Sequence, residues 1–262
     1  MGKKKKKVRW IKHYNSAQKI LLVGEGDFSF SACLARAFGF GRNMVATSLH
    51  SKRLLAEKHW SSVEHLEELE SLGCLVLHKV DVHKMSFHHK LKHREFDVVV
   101  FNFPHAGHFS GYTEKDEELI ELHKDLLRGF FNSARGMLVK EGGEVHVTHR
   151  DDYPYNKWEL EVLAAESGFC LKERVRFEKR DYPGYHNKRG GDINCNKTFP
   201  LKSECFTFKF SLQMENVLEI SCNRIRSMTL NEFEENSGGN TGGSVSKIAE
   251  GSEAGAKTVF GE

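Results

Sequence analysis

The feature that most constrains this chain is a four-residue apolar run, Ile20-Leu21-Leu22-Val23, broken at once by Gly24-Glu25-Gly26. Consecutive apolar residues with no polar alternation belong to a strand covered on both faces. After the break, Phe30, Cys33, Leu34, Ala37 and Phe38 recur at the spacing of one helix face, and Gly39 stands where a helix end favours glycine. A buried strand, a glycine turn and an amphipathic helix make the first half of a β-α-β unit. The alternation then repeats. Residues 44 to 48 are predicted as a second strand. Ser61 and Glu64 form a capping box for a helix through Leu66, Leu69 and Leu72 that stops at Gly73. Residues 74 to 77 and 96 to 101 supply the third and fourth strands. A long helix follows, with Leu119, Leu122, Leu126 and Phe130 expected on its apolar face and acids near its start, favourable to the helix dipole.

Residues 144 to 148 are the fifth expected strand, and Asn156 and Glu159 are candidate caps for a helix that ends at Gly168. Two further strands, near 170 to 177 and 204 to 212, alternate as an antiparallel pair does. The expected fold is therefore α/β: a doubly wound sheet of about seven strands, mostly parallel, with an antiparallel C-terminal edge. Ligands bind such sheets off the carboxyl ends of the strands, at the switch point.

Composition excludes several alternatives. With 39% hydrophobic and 29% charged residues, the 262-residue chain has a globular composition rather than a disordered or membrane one. No apolar run reaches the roughly 20 residues of a membrane helix, and the start does not resemble a signal peptide. Lys6 stands where a myristoylation signal prefers Ser or Thr, so Met1-Gly2 is not read as one. The six cysteines form no CxxC pair, which fits reduced thiols rather than disulfides or a zinc finger. His88, His89 and His93 lack a supporting acid or Cys and read as a surface run. Charge is uneven: residues 1–19 hold eight bases and no acid, while 214–262 hold eight acids and four bases. The expected organisation is a basic arm at 1–8, one folded domain at 9–212 and a low-complexity tail at 213–262. The basic arm implies a polyanionic partner or a nuclear-import signal.

The loops after the strands hold the candidate chemistry. Gly24 and Gly26 permit a tight turn and close approach of backbone to a ligand. The loop lacks the third glycine of the dinucleotide fingerprint, and Glu25 and Asp27 repel a pyrophosphate, which disfavours a nicotinamide-dependent oxidoreductase. Both acids suit a cationic or hydroxylated ligand, such as the aminoacyl part of S-adenosylmethionine. Ser48-Leu49-His50 ends the second strand where an acid would bind ribose hydroxyls. Asp81 follows the third strand, either to accept from an adenine amino group or as a plain turn residue. Phe101-Asn102-Phe103-Pro104-His105 ends the fourth, offering an amide, a rigid carbonyl, stacking rings and a proton acceptor. Residues 172 to 202 carry nine bases and four acids interleaved with Phe177, Tyr182, Tyr185 and Phe199, a pattern that suits single-stranded nucleic acid.

The segments Lys19 to Ser31 (KILLVGEGDFSFS), Ala46-Thr47-Ser48, Val80-Asp81-Val82 and Val99 to Gly107 (VVFNFPHAG) occur in order and resemble the large-subunit rRNA (uridine-N3)-methyltransferase-like family, its plant branch most closely. The resemblance spans residues 9–212. It implies a Rossmann-like, class I methyltransferase-like fold, S-adenosylmethionine as methyl donor and a uridine in rRNA or pre-ribosomal RNA as acceptor. It places the cofactor on Gly24, Glu25, Gly26, Asp27, Phe28 and Ser29, its ribose on Ser48 and His50, and its adenine on Asp81 and Val82. Asn102, Pro104 and His105 become the catalytic candidates, with no metal. His50 stands where the family has an acid, so a noncatalytic RNA-binding or ribosome-assembly factor on a degenerate scaffold is the alternative. A monomer in the nucleus or nucleolus, with the cytoplasm as second choice and no membrane partner, completes the expectation.

Overall fold

The computed structural model describes residues 7–201 and 205–213; the expected basic arm, except Lys7 and Val8, and the expected tail, except Gln213, lie outside them. β1 (Trp10–Ile11) and β2 (Tyr14–Asn15) form a short hairpin. There follow β3 (Ile20–Val23), α1 (Ser29–Phe38), β4 (Met44–Ser48), α2 (Lys52–Lys58), α3 (Ser62–Ser71), β5 (Leu75–His78), β6 (Val98–Asn102), α4 (Glu117–Arg135), β7 (Glu144–Arg150), α5 (Leu160–Glu166), β8 (Phe169–Arg176) and β9 (Cys205–Leu212). Seven strands make one sheet in the order β5-β4-β3-β6-β7-β9-β8. Strands β5, β4, β3, β6 and β7 are parallel, and β9 runs antiparallel to both of its neighbours. The antiparallel pair stands at the C-terminal edge as expected, with the last strand inside and β8 outside.

Both faces of the sheet are covered, and alternate residues of β3 serve opposite cores. Leu21 and Val23 pack with Ile120, Leu127 and Phe130 of α4 and Leu163 of α5. Ile20 and Leu22 pack with Phe30 and Leu34 of α1 and Leu66 and Leu69 of α3. This explains the unbroken apolar run. Gly39 ends α1 at φ +75°, its N–H donating to the Ala35 and Arg36 carbonyls, in line with the sequence expectation.

Three local expectations are corrected. The buried face of α4 is Leu119, Ile120, His123, Leu127, Phe130 and Phe131, whereas Leu122 is exposed. The apolar stripe was set one position off because a buried His was not counted as core. Ser61 precedes α3 without capping it, since its hydroxyl is directed to Asp27. Glu159 starts α5 from a left-handed backbone, and neither it nor Asn156 caps by side chain.

At the opposite end from the site, Tyr14 pins the N-terminal hairpin to β7. His146 donates from Nε2 to Glu144 (2.8 Å) and accepts at Nδ1 from the Tyr14 hydroxyl (3.3 Å). Burial holds His146 below its usual range, and holds His13 down to about 3 with help from His146. The hydrogen bond from His146 holds Glu144 at about 2 against the opposing effect of its burial. A His with a depressed folded pKa stabilises above its unfolded pKa near 6.5 and loses that stabilisation as pH falls. A depressed carboxylate does the same below its own unfolded value. The thermal midpoint is therefore expected to fall steadily from about pH 6.5 downward. Glu144→Gln should flatten the limb below about pH 4.5. A wild-type midpoint unchanged between pH 7 and 5 in a melting series would contradict this assignment.

Candidate functional site

The glycine loop begins where β3 meets its neighbours. Val23 is in register with Phe101, so Gly24 and Asn102 leave the same edge of the sheet side by side. Gly24 has φ +67°, and a Cβ there would lie 2.4 Å from the Phe101 ring. Glycine is thus required both by the turn and by the close approach. The Glu25 N–H donates to the Thr47 carbonyl (2.8 Å), which ties the loop to β4.

A cavity of about 400 Å³ opens over this edge. Its wall includes Gly24, Glu25, Gly26, Asp27 and Ser29 from the first loop, Ser48 and His50 after β4, Asp81 and Val82 after β5, and Asn102 after β6. Phe28 is the exception among the expected cofactor residues. It is fully buried, takes a left-handed φ of 60° and packs edge-on against His78. Pro104 lines a neighbouring cavity of about 270 Å³, and His105 lines both.

The two acids of the first loop do different work. Burial raises Glu25 to about 7, although its carboxylate accepts from the Ser31 N–H (3.2 Å). A carboxyl so placed gains from any cation that enters the cavity. Asp27 is buried, and its oxygens are already committed. Oδ1 accepts from the Ser29 N–H (3.1 Å), and Oδ2 accepts from the Ser61 hydroxyl (2.8 Å) and His186 Nδ1 (2.9 Å). Burial alone would raise its pKa; these hydrogen bonds hold it below the usual range. His50 lies beside the Lys58 ammonium (Nε2 to Nζ 3.2 Å), which itself pairs with Asp192. Burial, and then Lys58, lower His50. Asp81 accepts from the His83 N–H (3.0 Å) as a turn residue does, while lining the cavity.

Asn102 is the outlier. Both polar atoms of its amide are buried, and neither has a hydrogen-bond partner among the described residues. Such groups are nearly always satisfied, so an unsatisfied amide in a cavity wall marks a position where a ligand completes the bonding. Phe103 follows at φ 48°, held by its N–H to the Thr148 carbonyl (2.7 Å). A left-handed backbone at a bulky residue is strained, and such strain gathers at working sites.

Beyond it lies a hub of imidazoles. His105 Nε2 and His108 Nδ1 lie 3.0 and 3.2 Å from Glu114 Oε1, and His123 Nε2 lies 3.5 Å from Oε2. His105, Glu114 and His123 have the spacing of a metal site. The backbone assigns the protons otherwise. The Gly107 N–H donates to His105 Nδ1 and the Ala106 N–H to His123 Nδ1, so in each neutral ring Nε2 carries the proton toward Glu114. A metal-binding imidazole has the reverse arrangement, donating its far N–H outward. Both nitrogens of His105 are engaged inside the protein, so it presents no free lone pair as a direct base. Burial opposes ionisation of Glu114, but the hydrogen bond from His105 and the nearby His123 ring hold it well below the carboxylate range. Burial and the neighbouring His105 and Arg189 lower His108 to about 4.

Within residues 172–202, expected to suit single-stranded nucleic acid, the segment 184–200 crosses both cavities as a strap. Tyr182 and Tyr185 are buried against Phe30, and Phe177 stacks on Tyr182, so these rings are not offered to a nucleic acid. The strap is anchored by His186 to Ser29 and Asp27. It presses Gly190 against His105 and Gly191 against His108, where added Cβ atoms would meet neighbours at 2.9 and 2.7 Å. Lys188 and Arg189, expected among the nucleic-acid-binding bases, join the cavity wall, and so does His59, which no sequence signal marked. The glycines at 184, 190 and 191 were the available signal.

A sheet in this order, with a glycine loop after β3 and Asn-Phe-Pro after β6 facing one cavity, defines a class I methyltransferase-type domain. Residues 21–189 match the family described as BMT5-like, rRNA (uridine-N3-)-methyltransferase BTM5-like, and the chain belongs to that family. It is 46% identical over 204 residues to the Arabidopsis thaliana "Uncharacterized protein At4g26485", covering 78% of this chain and 97% of that one. It is also 46% identical over 225 residues to the Arabidopsis thaliana "Heavy metal-associated isoprenylated plant protein 41", with 86% of this chain and 43% of that protein covered, so it spans less than half of that relative. Identity to the Saccharomyces cerevisiae "25S rRNA (uridine(2634)-N(3))-methyltransferase" is 23% over 228 residues, 67% of each chain.

Two substitutions test this geometry. Gly24→Ala should cost roughly 2 kcal/mol in urea unfolding, from backbone strain and the Phe101 clash; a loss below about 0.5 kcal/mol would mean that the turn is not constrained. Asp27→Asn should loosen the strap and raise tryptic cleavage after Lys188 and Arg189 by about tenfold. Unchanged cleavage kinetics would show that the carboxylate does not anchor it.

Proposed function

We propose that this protein is an S-adenosylmethionine-dependent methyltransferase acting on N3 of a uridine in large-subunit rRNA. The observation that carries the reading is the unsatisfied, buried Asn102 amide on the cofactor-side cavity wall, two residues before Pro104 of the adjoining one. The glycine cradle and the buried Glu25 carboxyl fit the cationic aminoacyl part of the donor, and Asp81 with Val82 fits its adenine. Ser48 and His50 would face its ribose. The acceptor base fits the second cavity, whose wall includes Phe103, Tyr155 and Trp158. The yeast relative's name supports the substrate, and a nucleolar location follows from that substrate.

When bound, S-adenosylmethionine supplies an electrophilic methyl carbon and departs as the neutral thioether. Uridine N3 gives up its proton to solvent, and its electron pair forms the new N–C bond. Asn102 can donate from Nδ2 to a ring carbonyl beside N3, which fixes the base edge and leaves the N3 electron pair open to the methyl carbon. The Pro104 carbonyl would orient the same base edge from the adjoining cavity. Such alignment can supply much of the rate. The base must be unpaired or extruded to enter.

The noncatalytic reading draws on His50, beside the Lys58 ammonium, standing where an acid is usual. Calorimetry with S-adenosylmethionine separates the two, because a degenerate scaffold does not bind it. Asn102→Ala should lower methyl transfer to unmodified large-subunit rRNA by about 100-fold or more, with donor affinity changed less than about threefold. Full transfer by that variant would remove Asn102 from the mechanism.

A further inference from the structure

Arg189 stands at the boundary of the two cavities and lines both. Its guanidinium is aimed by a tether of two links. Nη2 donates to His108 Nε2 (3.0 Å), which leaves the His108 proton on Nδ1, 3.2 Å from Glu114 Oε1. Glu114, held by the hydrogen bond from His105, thus sets the orientation of a cation on the strap. The rest of the fork is uncommitted: Arg189 Nε is buried and has no hydrogen-bond partner among the described residues. A buried charged donor without an acceptor is as uncommon as the Asn102 amide.

We propose that Arg189 is the specificity-determining residue for the acceptor: its free N–H edge donates to the carbonyl beside the ring nitrogen that receives the methyl group. The proposal rests on the function above and adds the chemical class of base and the group that reads it. A pyrimidine with a carbonyl there accepts the bond. One with an exocyclic amino group sets donor against donor and is rejected. The same cation favours the anionic ring as the N–H proton leaves, because an opposite charge nearby stabilises the ionised form. Arg189 thereby assists the loss of a proton that His105, with both nitrogens engaged, does not take directly.

The test uses the full chain, in vitro transcribed large-subunit rRNA and methyl-labelled S-adenosylmethionine, with Arg189→Met and Arg189→Lys. Arg189→Met should lower kcat about 100-fold while calorimetric donor affinity stays within about threefold. The rise of kcat with pH should move upward by about one unit, because the ring N–H is then a weaker acid. Arg189→Lys, which keeps the charge without the planar fork, should recover the pH profile in part and the rate less. An Arg189→Met enzyme with unchanged kcat overturns the proposal. So does one whose rate falls with no change in pH profile, which is the mark of a merely structural contact. A wild-type enzyme that binds the donor but leaves the transcript unmethylated overturns the functional reading, and this proposal with it, whatever the variants do.

Discussion

A carboxylate that stays ionised when buried needs hydrogen-bond donors around it, and the site is organised around meeting that demand at Asp27. The groups that meet it come from different parts of the chain: the backbone of Ser29 at the start of α1, the hydroxyl of Ser61 before α3, and the imidazole of His186 on the strap. Their common acceptor brings the glycine loop and the strap into one wall. Ionised and multiply bonded, Asp27 is a structural anion, while its neighbour Glu25, raised to about 7, is the acid left to respond to a ligand. Two carboxylates two residues apart thus differ in role because one is saturated from within and the other is not.

The second dependency is the wall between the cavities. Phe103, His105 and Arg189 belong to both. The wall is set by Phe103 in a strained backbone, by Gly190 and Gly191 against the His105–His108 segment, and by three imidazoles converging on Glu114. Backbone donors from Ala106 and Gly107 set the tautomers of His123 and His105, and the hub is held rigid with both of these protons pointing inward. Rigidity there matters because methyl transfer depends on aligning two reactants across that wall.

Much of the fold was legible because apolar periodicity and glycine placement record burial directly. Residues 44 to 48 formed a strand with the expected bounds, and Gly24, Gly26 and Asn102 met at one edge as the order of strands required. The sequence was less informative where a polar residue's partner is distant in the chain. Ser61 looked like a helix cap because Asp27, 34 residues earlier, could not be foreseen as its partner. His123 was not counted in the core face of α4, although it is fully buried and stacked on Trp158 at 4.0 Å. The aromatic residues of the strap carried the same ambiguity: rings among bases fit a nucleic-acid surface, but Tyr182 and Tyr185 close the protein's own core. Phe28 sits in a loop that faces the cavity, yet its backbone conformation turns the ring inward.

The insertion of β9 between β7 and β8 has a consequence for the order of assembly. Strand β8 hydrogen-bonds to β9 and to no other strand of the described sheet. During synthesis, the outer rim therefore has nothing to pair with until residues 205–212 have emerged. The strap is made before that strand and sits across the cavities. Completion of this sheet edge is thus coupled to the arrival of β9, the last strand among the described residues.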